Sequence, residues 1–447
     1  MPVQSKKTLR RRLLRLTRPI FGETLLLMSL GFVDTVMLSQ ISDACVAAVG
    51  LVNQILNMLF LIFIVGATGT LVVASQYLGA RRLQDFLVTV KASYLLNIII
   101  GLLVSTSLFC LDDHILSLMQ VAPTLWADAK SYLTIVGSFA FLHALNVTQA
   151  SILRAREMAR YPMYVSLFTN LVNICANYCL IFGHLGCPAL GAAGAAWATV
   201  ISRAFSFVLL LIFVLSQTKK LENNASTGRD LLKKLGQILH IGLPGAGEMF
   251  SYASSQVVIT YFINLLGTEA LAARTYLMNV VIVTFIFAIS MGQSAAILAG
   301  HLVGSHHFSA AKLVGAFAAR ASLKISLILA LILALTAPIF MPWLTHNENI
   351  QHLCLTIFWI DIILEAGRAI NILTGRLLAA VGDPMFPLIT SITVVWSVAT
   401  VGSYLAGIIL GFGLLGMWIV FTCDESLRAI IQWRYWQKGK WMHKSIC

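Results

Sequence analysis

Charged residues are scarce in this chain of 447 residues. Asp, Glu, Lys and Arg together make up 11% of it, while hydrophobic residues make up 58%. Soluble globular domains carry roughly 25% charged and about 45–50% apolar residues. The composition therefore excludes a soluble globular protein and predicts a protein that crosses the membrane several times.

Catalytic and metal-binding motifs are also missing. The sequence contains no HExxH, no GxSxG, no GxxxxGK[ST] and no set of kinase motifs. Its eight cysteines form no CxxC pair, so we interpret them as small apolar side chains. We therefore expect no enzyme activity, no cofactor and no metal site, and energy for any transport has to come from an ion gradient rather than from ATP.

Twelve apolar segments are long enough to cross a bilayer as helices, which takes about twenty residues each. In the first half they lie near residues 17–39, 46–77, 88–111, 126–152, 161–183 and 190–216. In the second half they lie near residues 239–265, 270–301, 312–344, 350–379, 384–410 and 413–436. The sequence therefore predicts an all-α polytopic membrane protein with twelve transmembrane helices.

The basic residues indicate how these helices are oriented. The net charge of +13 is spread over the chain rather than pooled in one patch, so it does not indicate nucleic-acid binding. Seven Lys and Arg residues lie in the first eighteen positions and others follow the even-numbered spans, whereas the loops after odd-numbered spans contain none. By the positive-inside rule, this pattern places both termini in the cytoplasm and the protein in the cytoplasmic (inner) membrane.

The chain contains an internal repeat. Pro19 and Glu23 return as Pro244 and Glu248, 225 residues later. Six spans per copy is an even number, so both copies enter the membrane in the same direction and are related by a pseudo-twofold axis along the membrane normal. The predicted organisation is a six-helix lobe at 1–216, a cytoplasmic linker at 217–234 and a second six-helix lobe at 235–447.

Asp34 is the single carboxylate of the stretch GFVDTVMLSQ (31–40) in the apolar first span. Carboxylates inside a membrane usually mark ion or substrate pathways, because a charge there costs about 2.5–3.5 kcal/mol or more. We predict that Asp34 binds a proton, a sodium ion or the substrate; the alternative is neutralisation by a neighbouring helix. Span 5 offers Asn170, Asn173 and Asn177 on one helical face as neutral partners, with interhelical hydrogen bonding as their alternative use.

The second half has its own polar cluster in span 10. Asp361, Glu365 and Arg368 lie at i, i+4 and i+7 along one face. A closed ion pair is one interpretation, and a carboxylate that takes up a proton or a cationic substrate is the other. Glu248 and its repeat mate Glu23 lie near the starts of predicted spans, so they are candidates for an ion site or for a stabilising position at a helix N-terminus.

Two amides occupy matching positions of the repeat, Gln54 in span 2 and Asn279 in span 8. Such side chains either line a cavity and hydrogen-bond a substrate, or connect neighbouring helices. We include both among the candidate cavity residues.

Several segments of the sequence resemble the multidrug and toxic compound extrusion (MATE) family of antiporters. They are GFVDTVMLS (31–39), AAVGLVNQ (47–54), SQYLGARR (75–82), NYCLIFG (177–183), GCPALGAAGAAWATVIS (186–202), MGQSAAILAGHLVG (291–304) and LLAAVGDP (377–384). The resemblance implies two six-helix lobes around a cavity that binds amphipathic, often cationic compounds. It also implies their export in exchange for protons or sodium ions.

The resemblance assigns roles to individual residues as well. Asp34 matches the functional carboxylate of the family's first span. Some relatives carry an acid at the position of Asn177, with an Asn at the position of Asn173, and some carry an Asp where this sequence has Arg368. Because of these departures, the resemblance leaves both proton and sodium open as the coupling ion.

An alternative function within the same superfamily is that of a flippase for a lipid-linked saccharide, which needs a cavity rich in Arg and Lys for a pyrophosphate. Only Arg203, Arg274 and Arg368 lie deep enough in predicted spans, so export of organic compounds is the favoured prediction. A membrane-embedded enzyme or a receptor needs a catalytic motif or a soluble domain, and the sequence has neither. We expect a monomer in the lipid bilayer, with a small organic substrate and the coupling ion as its partners.

Overall fold

The structure, a computed structural model, describes residues 5–219 and 228–446. These residues form helices and no strands, which confirms the all-α prediction. The chain divides into two compact units, the N-unit (Arg18–Gly242) and the C-unit (Met1–Thr17 with Leu243–Cys447). The predicted lobes differ from these units at residues 1–17 and 217–242, and residues 220–227 of the predicted linker lie outside the described residues.

The first half of the chain forms eight helices within the described residues. They are α1 (Lys6–Ser39), α2 (Asp43–Gly79), α3 (Leu83–Cys110), α4 (Asp112–Leu118), α5 (Pro123–Ser138), α6 (Ala140–Ala155), α7 (Arg160–Phe182) and α8 (Ala192–Thr218). Helices α5 and α6 form one bent span with an angle of 48° at Phe139, where the sequence predicted one continuous span. The break frees the N–H of Phe141, which donates to Ser105 Oγ on α3 at 3.0 Å. A bilayer offers no water to such a group, so this serine allows the bend.

The second half forms α9 (Gly228–Leu265), α10 (Thr268–Gly304), α11 (Phe308–Leu344), α12 (Glu348–Ala380), α13 (Met385–Val394), α14 (Val401–Ser403) and α15 (Gly413–Lys438). The span that starts with α13 continues through two π-helical stretches, Val395–Thr400 and Tyr404–Ile409. In the first stretch, Thr400 Oγ1 donates to Val395 O at 3.1 Å and thereby occupies a backbone acceptor. The sequence predicted an ordinary helical span here and gave no sign of these wider π-helical turns.

The helix lengths agree with the twelve predicted spans. Among the described residues, eight helical segments are long and apolar enough to cross a membrane, and the bent α5–α6 pair is a ninth. Helices α9, α12 and α15 match the remaining three predicted spans with 38, 33 and 26 residues. Charged and polar side chains lower the hydropathy of these three helices, and several of those side chains belong to the candidate site.

The first twelve residues of α1 pack in the C-unit. Leu9 and Leu13 are 1% and 2% exposed and join a core with Met291 and Trp436. The hydroxyl of Thr17 donates to Met291 Sδ at 3.6 Å. Burial of this leucine face explains why the basic opening of the chain continues as one helix into the apolar first span.

The opening fifteen residues of α9 pack against α2 in the N-unit. Lys234 Nζ lies 2.6 Å from Asp85 Oδ1 and 3.7 Å from the centre of the Tyr77 ring. Further along, Gly69 and Gly242 permit close contact between backbones. A Cβ at Gly242 would lie 2.0 Å from Val65 O, so only glycine fits there.

We therefore expect Gly242→Ala to lower the free energy of unfolding by about 1–3 kcal/mol, the usual cost of forcing an extra methyl group into a packed contact. The matched control is Gly236→Ala in the same segment, because a Cβ there meets nothing within 4 Å. The melting temperature in detergent measures both. Equal melting temperatures for the two variants would contradict this close contact.

Candidate functional site

In the N-unit, Asp34 of α1 lies against the amide face of α7. Asn177 Nδ2 donates to Asp34 Oδ1 at 2.6 Å and also lies 3.0 Å from Asn173 Oδ1. Asn173 and Asn177 are both 0% exposed, whereas Asp34 is half-buried. The structure thus brings together three residues that the sequence singled out, because positions 173 and 177 are one helical turn apart on the same face.

The third asparagine of this face contacts α1 at a different level. Asn170 Nδ2 donates to the carbonyl oxygen of Leu26 at 2.8 Å. Leu26 and Asp34 are eight residues apart, which is about 12 Å along a helix. Helix α7 therefore holds α1 through one bond to its backbone and one bond to its carboxylate.

Arg203 of α8 is a further charged side chain inside an apolar helix of the N-unit. Its guanidinium lies over the ring of Phe60, with Cζ 5.3 Å from the ring centre, and the imidazole of His143 stacks on Phe60 at 4.6 Å. Tyr132 Oη donates to Asn53 Oδ1 at 3.3 Å. Arg203 was not among the predicted site residues, although its charge inside an apolar helix is a signal that could have singled it out.

Three polar atoms of this region are buried and make no hydrogen bond within the described residues. They are Asn173 Nδ2, Asn177 Oδ1 and Arg203 Nη1. Buried polar groups in proteins are nearly always satisfied by the chain, by water or by a ligand. Asn173 Nδ2 and Asn177 Oδ1 therefore leave one donor and one acceptor beside Asp34 that a small polar group can bind.

Gln54 lies on an open groove along α2. The groove has a volume of about 480 Å³ and is lined by Gly50, Asn53, Gln54, Asn57, Met58 and Leu61. Amides beside apolar side chains suit a substrate that is mostly hydrophobic with a few polar atoms. Asn279, its repeat mate, lies exposed on α10 of the C-unit.

Glu23 and Glu248 do not lie at helix N-termini, so that interpretation is wrong. Helix α1 begins at Lys6 and α9 begins at Gly228, which places both glutamates more than four turns inside their helices. Glu23 Oε1 instead forms a buried ion pair with Arg154 Nη2 at 2.6 Å. Glu248 Oε1 accepts a hydrogen bond from Ser391 Oγ at 2.6 Å.

In the C-unit, the three predicted residues of α12 are buried, but they do not pair only with one another. Arg368 Nη1 pairs with Glu365 Oε1 as the spacing predicts. Asp361 Oδ1 instead accepts from Trp418 Nε1 at 3.0 Å. Arg368 also lies 3.8 Å from Glu425 of α15, measured from Nε to Oε1.

Helix α15 extends this cluster. Arg428 pairs with Asp424 and, at 3.0 Å, with Glu425 on its own helix. Asn371 Nδ2 of α12 donates to Glu425 Oε2 at 2.8 Å. The spacing of three and four residues accounts for the pairs within α15, but only tertiary packing brings α15 to Asn371 of α12.

The acids of this cluster outnumber its arginines. Asp361, Glu365, Asp424 and Glu425 face Arg368 and Arg428, so two negative charges remain if every group is ionised. Three of the carboxyl groups bond through one oxygen while the other is buried without a hydrogen-bond partner in the described residues: Asp361 Oδ2, Glu365 Oε2 and Asp424 Oδ1. Protons on two of these acids would balance the cluster, and within the described residues no group of three acidic, His or Cys side chains is arranged to hold a metal ion.

Comparison with known proteins agrees with this repeated architecture. The family model MatE matches residues 19–179 and 244–405, two segments whose starts are separated by the 225-residue offset of the internal repeat. "Uncharacterized transporter YisQ" of Bacillus subtilis is 35% identical over 437 residues, which cover 97% of this chain and 95% of YisQ. "Probable multidrug resistance protein NorM" of Thermotoga maritima is 24% identical, and the aligned region covers 100% of this chain and 96% of NorM.

A solved structure shares the fold. The Vibrio cholerae MATE transporter VcmN in the bent form has a TM-score of 0.89 and 20% sequence identity, with 97% of each chain covered. The family model spans more than half of the chain, in two copies, and YisQ is similar over nearly its full length. The chain therefore belongs to the MatE family, the multidrug and toxic compound extrusion transporters.

Proposed function

We propose that this protein is a secondary active antiporter, which exports amphipathic, often cationic organic compounds in exchange for protons or sodium ions. The observation that carries the proposal is the 2.6 Å hydrogen bond between Asn177 and Asp34, a carboxylate inside an apolar helix. Carboxylates inside a membrane usually mark an ion or substrate pathway. The printed names of NorM relatives, which describe multidrug resistance proteins, support the choice of substrate.

The charge on Asp34 controls how firmly α1 is held. Hydrogen bonds to an ionised group are roughly twice as strong as those between neutral groups. Neutralisation of Asp34 weakens its bond to Asn177, and the bond from Asn170 to Leu26 O remains. In the most apolar 18-residue stretch of α1, only 11% of the residues are buried. This is the smallest share among the apolar helices described, so little packing opposes movement of α1.

This movement couples ion entry to substrate release. In the proposed cycle, ionised Asp34 holds the site open for a cationic substrate. An ion that enters from outside neutralises Asp34, α1 repacks against α7, and the substrate leaves. The grooved face of α2 with Asn53, Gln54 and Asn57 supplies hydrogen-bonding groups for the rest of the substrate.

The contacts of the deep arginines favour this function over a flippase. Arg274 already donates to Gln256 Oε1 at 2.8 Å and to Thr260 Oγ1. Arg368 already pairs with Glu365. Two of the three arginines that a pyrophosphate site would need therefore already have partners, Arg274 on the neighbouring helix α9 and Arg368 on its own helix α12.

The proposal extends to the surroundings of the protein. The chain is a multi-pass membrane protein of its family, and the distribution of Lys and Arg supports an inner-membrane location with both termini in the cytoplasm. We propose that it works as a monomer in the bilayer.

Efflux from vesicles tests the function. Purified protein is reconstituted into vesicles, and the vesicles are loaded with a panel of cationic dyes and metabolites. A pH gradient at constant sodium, or a sodium gradient at constant pH, is then imposed across the vesicle membrane. We expect one gradient to accelerate export of some compounds above the level of protein-free vesicles. If neither gradient changes export of any compound, the protein is not an antiporter of this class.

A further inference from the structure

We propose that Arg203 binds the carboxylate of a transported compound, so that the protein favours zwitterionic over purely cationic compounds. This inference rests on the export function proposed above and names a chemical class within its substrates. It starts from a guanidinium that lies among α2, α6 and α8 of the N-unit and has no acidic partner among the described residues.

Arg203 points into the N-unit rather than toward lipid. Large apolar side chains are exposed along one face of α8, namely those of Ile201, Phe205, Val208 and Ile212. Arg203 is two residues from Ile201, which turns its side chain about 200° around the helix axis, away from this face. The side chain is nevertheless partly exposed. The guanidinium is therefore accessible from the side of α8 that faces the other helices.

Helices α2 and α6 meet α8 at this point. The guanidinium lies over the ring of Phe60 on α2, with Cζ 5.3 Å from the ring centre. His143 of α6 stacks on the same ring at 4.6 Å. Asn146, about one turn further along α6, donates Nδ2 to the main-chain oxygen of Arg203 at 2.9 Å. None of these contacts supplies a negative charge.

The charge of Arg203 has no counter-ion in the described residues. Guanidinium groups stay protonated in proteins. No carboxylate of these residues lies within 4.0 Å of it, and its Nη1 is buried without a hydrogen bond. Buried charges in proteins are normally paired, because an isolated charge in apolar surroundings is costly. Asn146 Oδ1 is buried without a hydrogen bond as well, so a donor and an acceptor at this place are both open to a ligand.

A carboxylate is the anion that suits this place best. The parallel N–H groups of a guanidinium match the two oxygens of a carboxylate. A pyrophosphate needs several cations, but the other deep arginines, Arg274 and Arg368, belong to the C-unit and already have partners there. One unpaired guanidinium therefore matches a single negative charge.

The groove on α2 can hold the rest of the compound. Phe60 follows Asn57 of the groove by three residues, so the two lie on the same side of α2, about 4.5 Å apart along its axis. The amides of Asn53 and Asn57 beside Met58 suit an apolar body with a few polar atoms. An aromatic compound in the groove can thus extend a carboxylate toward Arg203. Because the proposed function already requires a cationic group, the compound is a zwitterion.

A matched pair of dyes tests the inference in the wild-type protein. Rhodamine B and its ethyl ester share one cationic ring system, but only rhodamine B carries a free carboxylate. Fluorescence polarisation measures binding of each dye to the purified full chain in detergent at low salt, with empty micelles as the blank and no ion gradient. We expect rhodamine B to bind about tenfold or more tightly than the ester, as one hydrogen-bonded charge pair allows.

Variants of Arg203 identify the group that binds the carboxylate. In Arg203→Gln, which removes the charge but keeps the length and polarity, we expect rhodamine B to bind about tenfold or more weakly and the ester to change by less than about twofold. Arg203→Lys keeps the charge and should keep the preference for rhodamine B. Arg160→Gln is the matched control, because Arg160 is exposed at the start of α7, and it should bind both dyes as the wild type does.

Phenylglyoxal, which modifies accessible arginine side chains, gives a second readout that needs no variant. Rhodamine B should slow modification of Arg203 in the wild type, measured by mass spectrometry of the peptides, and the ester at the same concentration should not. Modification of Arg203 that rhodamine B leaves unchanged contradicts the inference.

The dye measurements can overturn the inference in three ways. Equal binding of the two dyes by the wild type contradicts it, even if Arg203→Gln does not fold. A folded Arg203→Gln variant that loses both dyes equally shows a structural role, and one that keeps the preference shows that another group binds the carboxylate. Failure of the vesicle experiment would refute antiport, whereas the dye preference in detergent would still identify a carboxylate site at Arg203.

Discussion

Asp34→Asn is expected to reduce gradient-driven efflux to the level of protein-free vesicles. Asparagine has nearly the same shape as aspartate, and its amide oxygen can still accept the hydrogen bond that Asn177 Nδ2 now donates at 2.6 Å. The variant therefore keeps the contact between α1 and α7 but cannot gain or lose a proton. Because residue 34 is then always neutral, its hydrogen bond to Asn177 stays at the weaker strength of a neutral pair. Helix α1 therefore remains in the state that neutral Asp34 favours and cannot alternate.

The fold should survive this substitution, because it removes a half-buried charge rather than adding one. Melting temperature and elution in size-exclusion chromatography check that it does. Asp43→Asn is the matched control, since Asp43 is exposed in the first turn of α2 and should leave efflux near the wild-type rate. Wild-type export of every compound by a well-folded Asp34→Asn variant would contradict the proposed role of this carboxylate.

Local patterns in the sequence were enough to predict much of the fold. The apolar spans of about twenty residues correspond to helices of the structure. The offset between Pro19 and Pro244 equals the offset between the starts of the two segments that the family model matches. Asp34 and Asn177 could also be paired in advance, because a membrane leaves a carboxylate few choices other than polar groups on a neighbouring helix.

Features that depend on tertiary packing could not be predicted in this way. The bend at Phe139 requires Ser105 of another helix to accept the freed N–H. The cluster in the C-unit requires Glu425 of α15 to reach Asn371 of α12. No spacing within one helix encodes either contact, so sequence periodicity predicted a continuous span and a cluster confined to α12.

The two copies of the repeat have different chemistry at corresponding positions. Ile259 is the repeat mate of Asp34; it is 0% exposed and belongs to the apolar core of the C-unit. The first helix of the second copy therefore has no carboxylate at this depth. The buried acids of the C-unit come instead from α12 and α15, so any second ion site must work through a different pair of helices.

Arg368→Gln is expected to destabilise the protein by about 3–5 kcal/mol, the usual cost of removing one partner of a buried ion pair. The guanidinium of Arg368 pairs with Glu365, which is 0% exposed, and lies 3.8 Å from Glu425. Without it, Glu365 is left as a buried carboxylate with no positive partner, beside the other acids of the cluster. A lowered melting temperature and a reduced yield of monodisperse protein would report this loss.

A double substitution separates the ion pair from simple loss of packing. Glu365→Gln combined with Arg368→Gln removes both charges and should recover most of the stability, whereas loss of packing alone would make the double variant no better than Arg368→Gln. Arg320→Gln is the control, because Arg320 is exposed on α11 and its loss should change stability by about 0.5 kcal/mol or less.

If Arg368→Gln is as stable as Arg320→Gln, Glu365 does not depend on Arg368 for neutralisation and must itself carry a proton. That outcome would contradict the closed ion pair and would make Glu365 the carboxyl group to test for proton uptake in the C-unit.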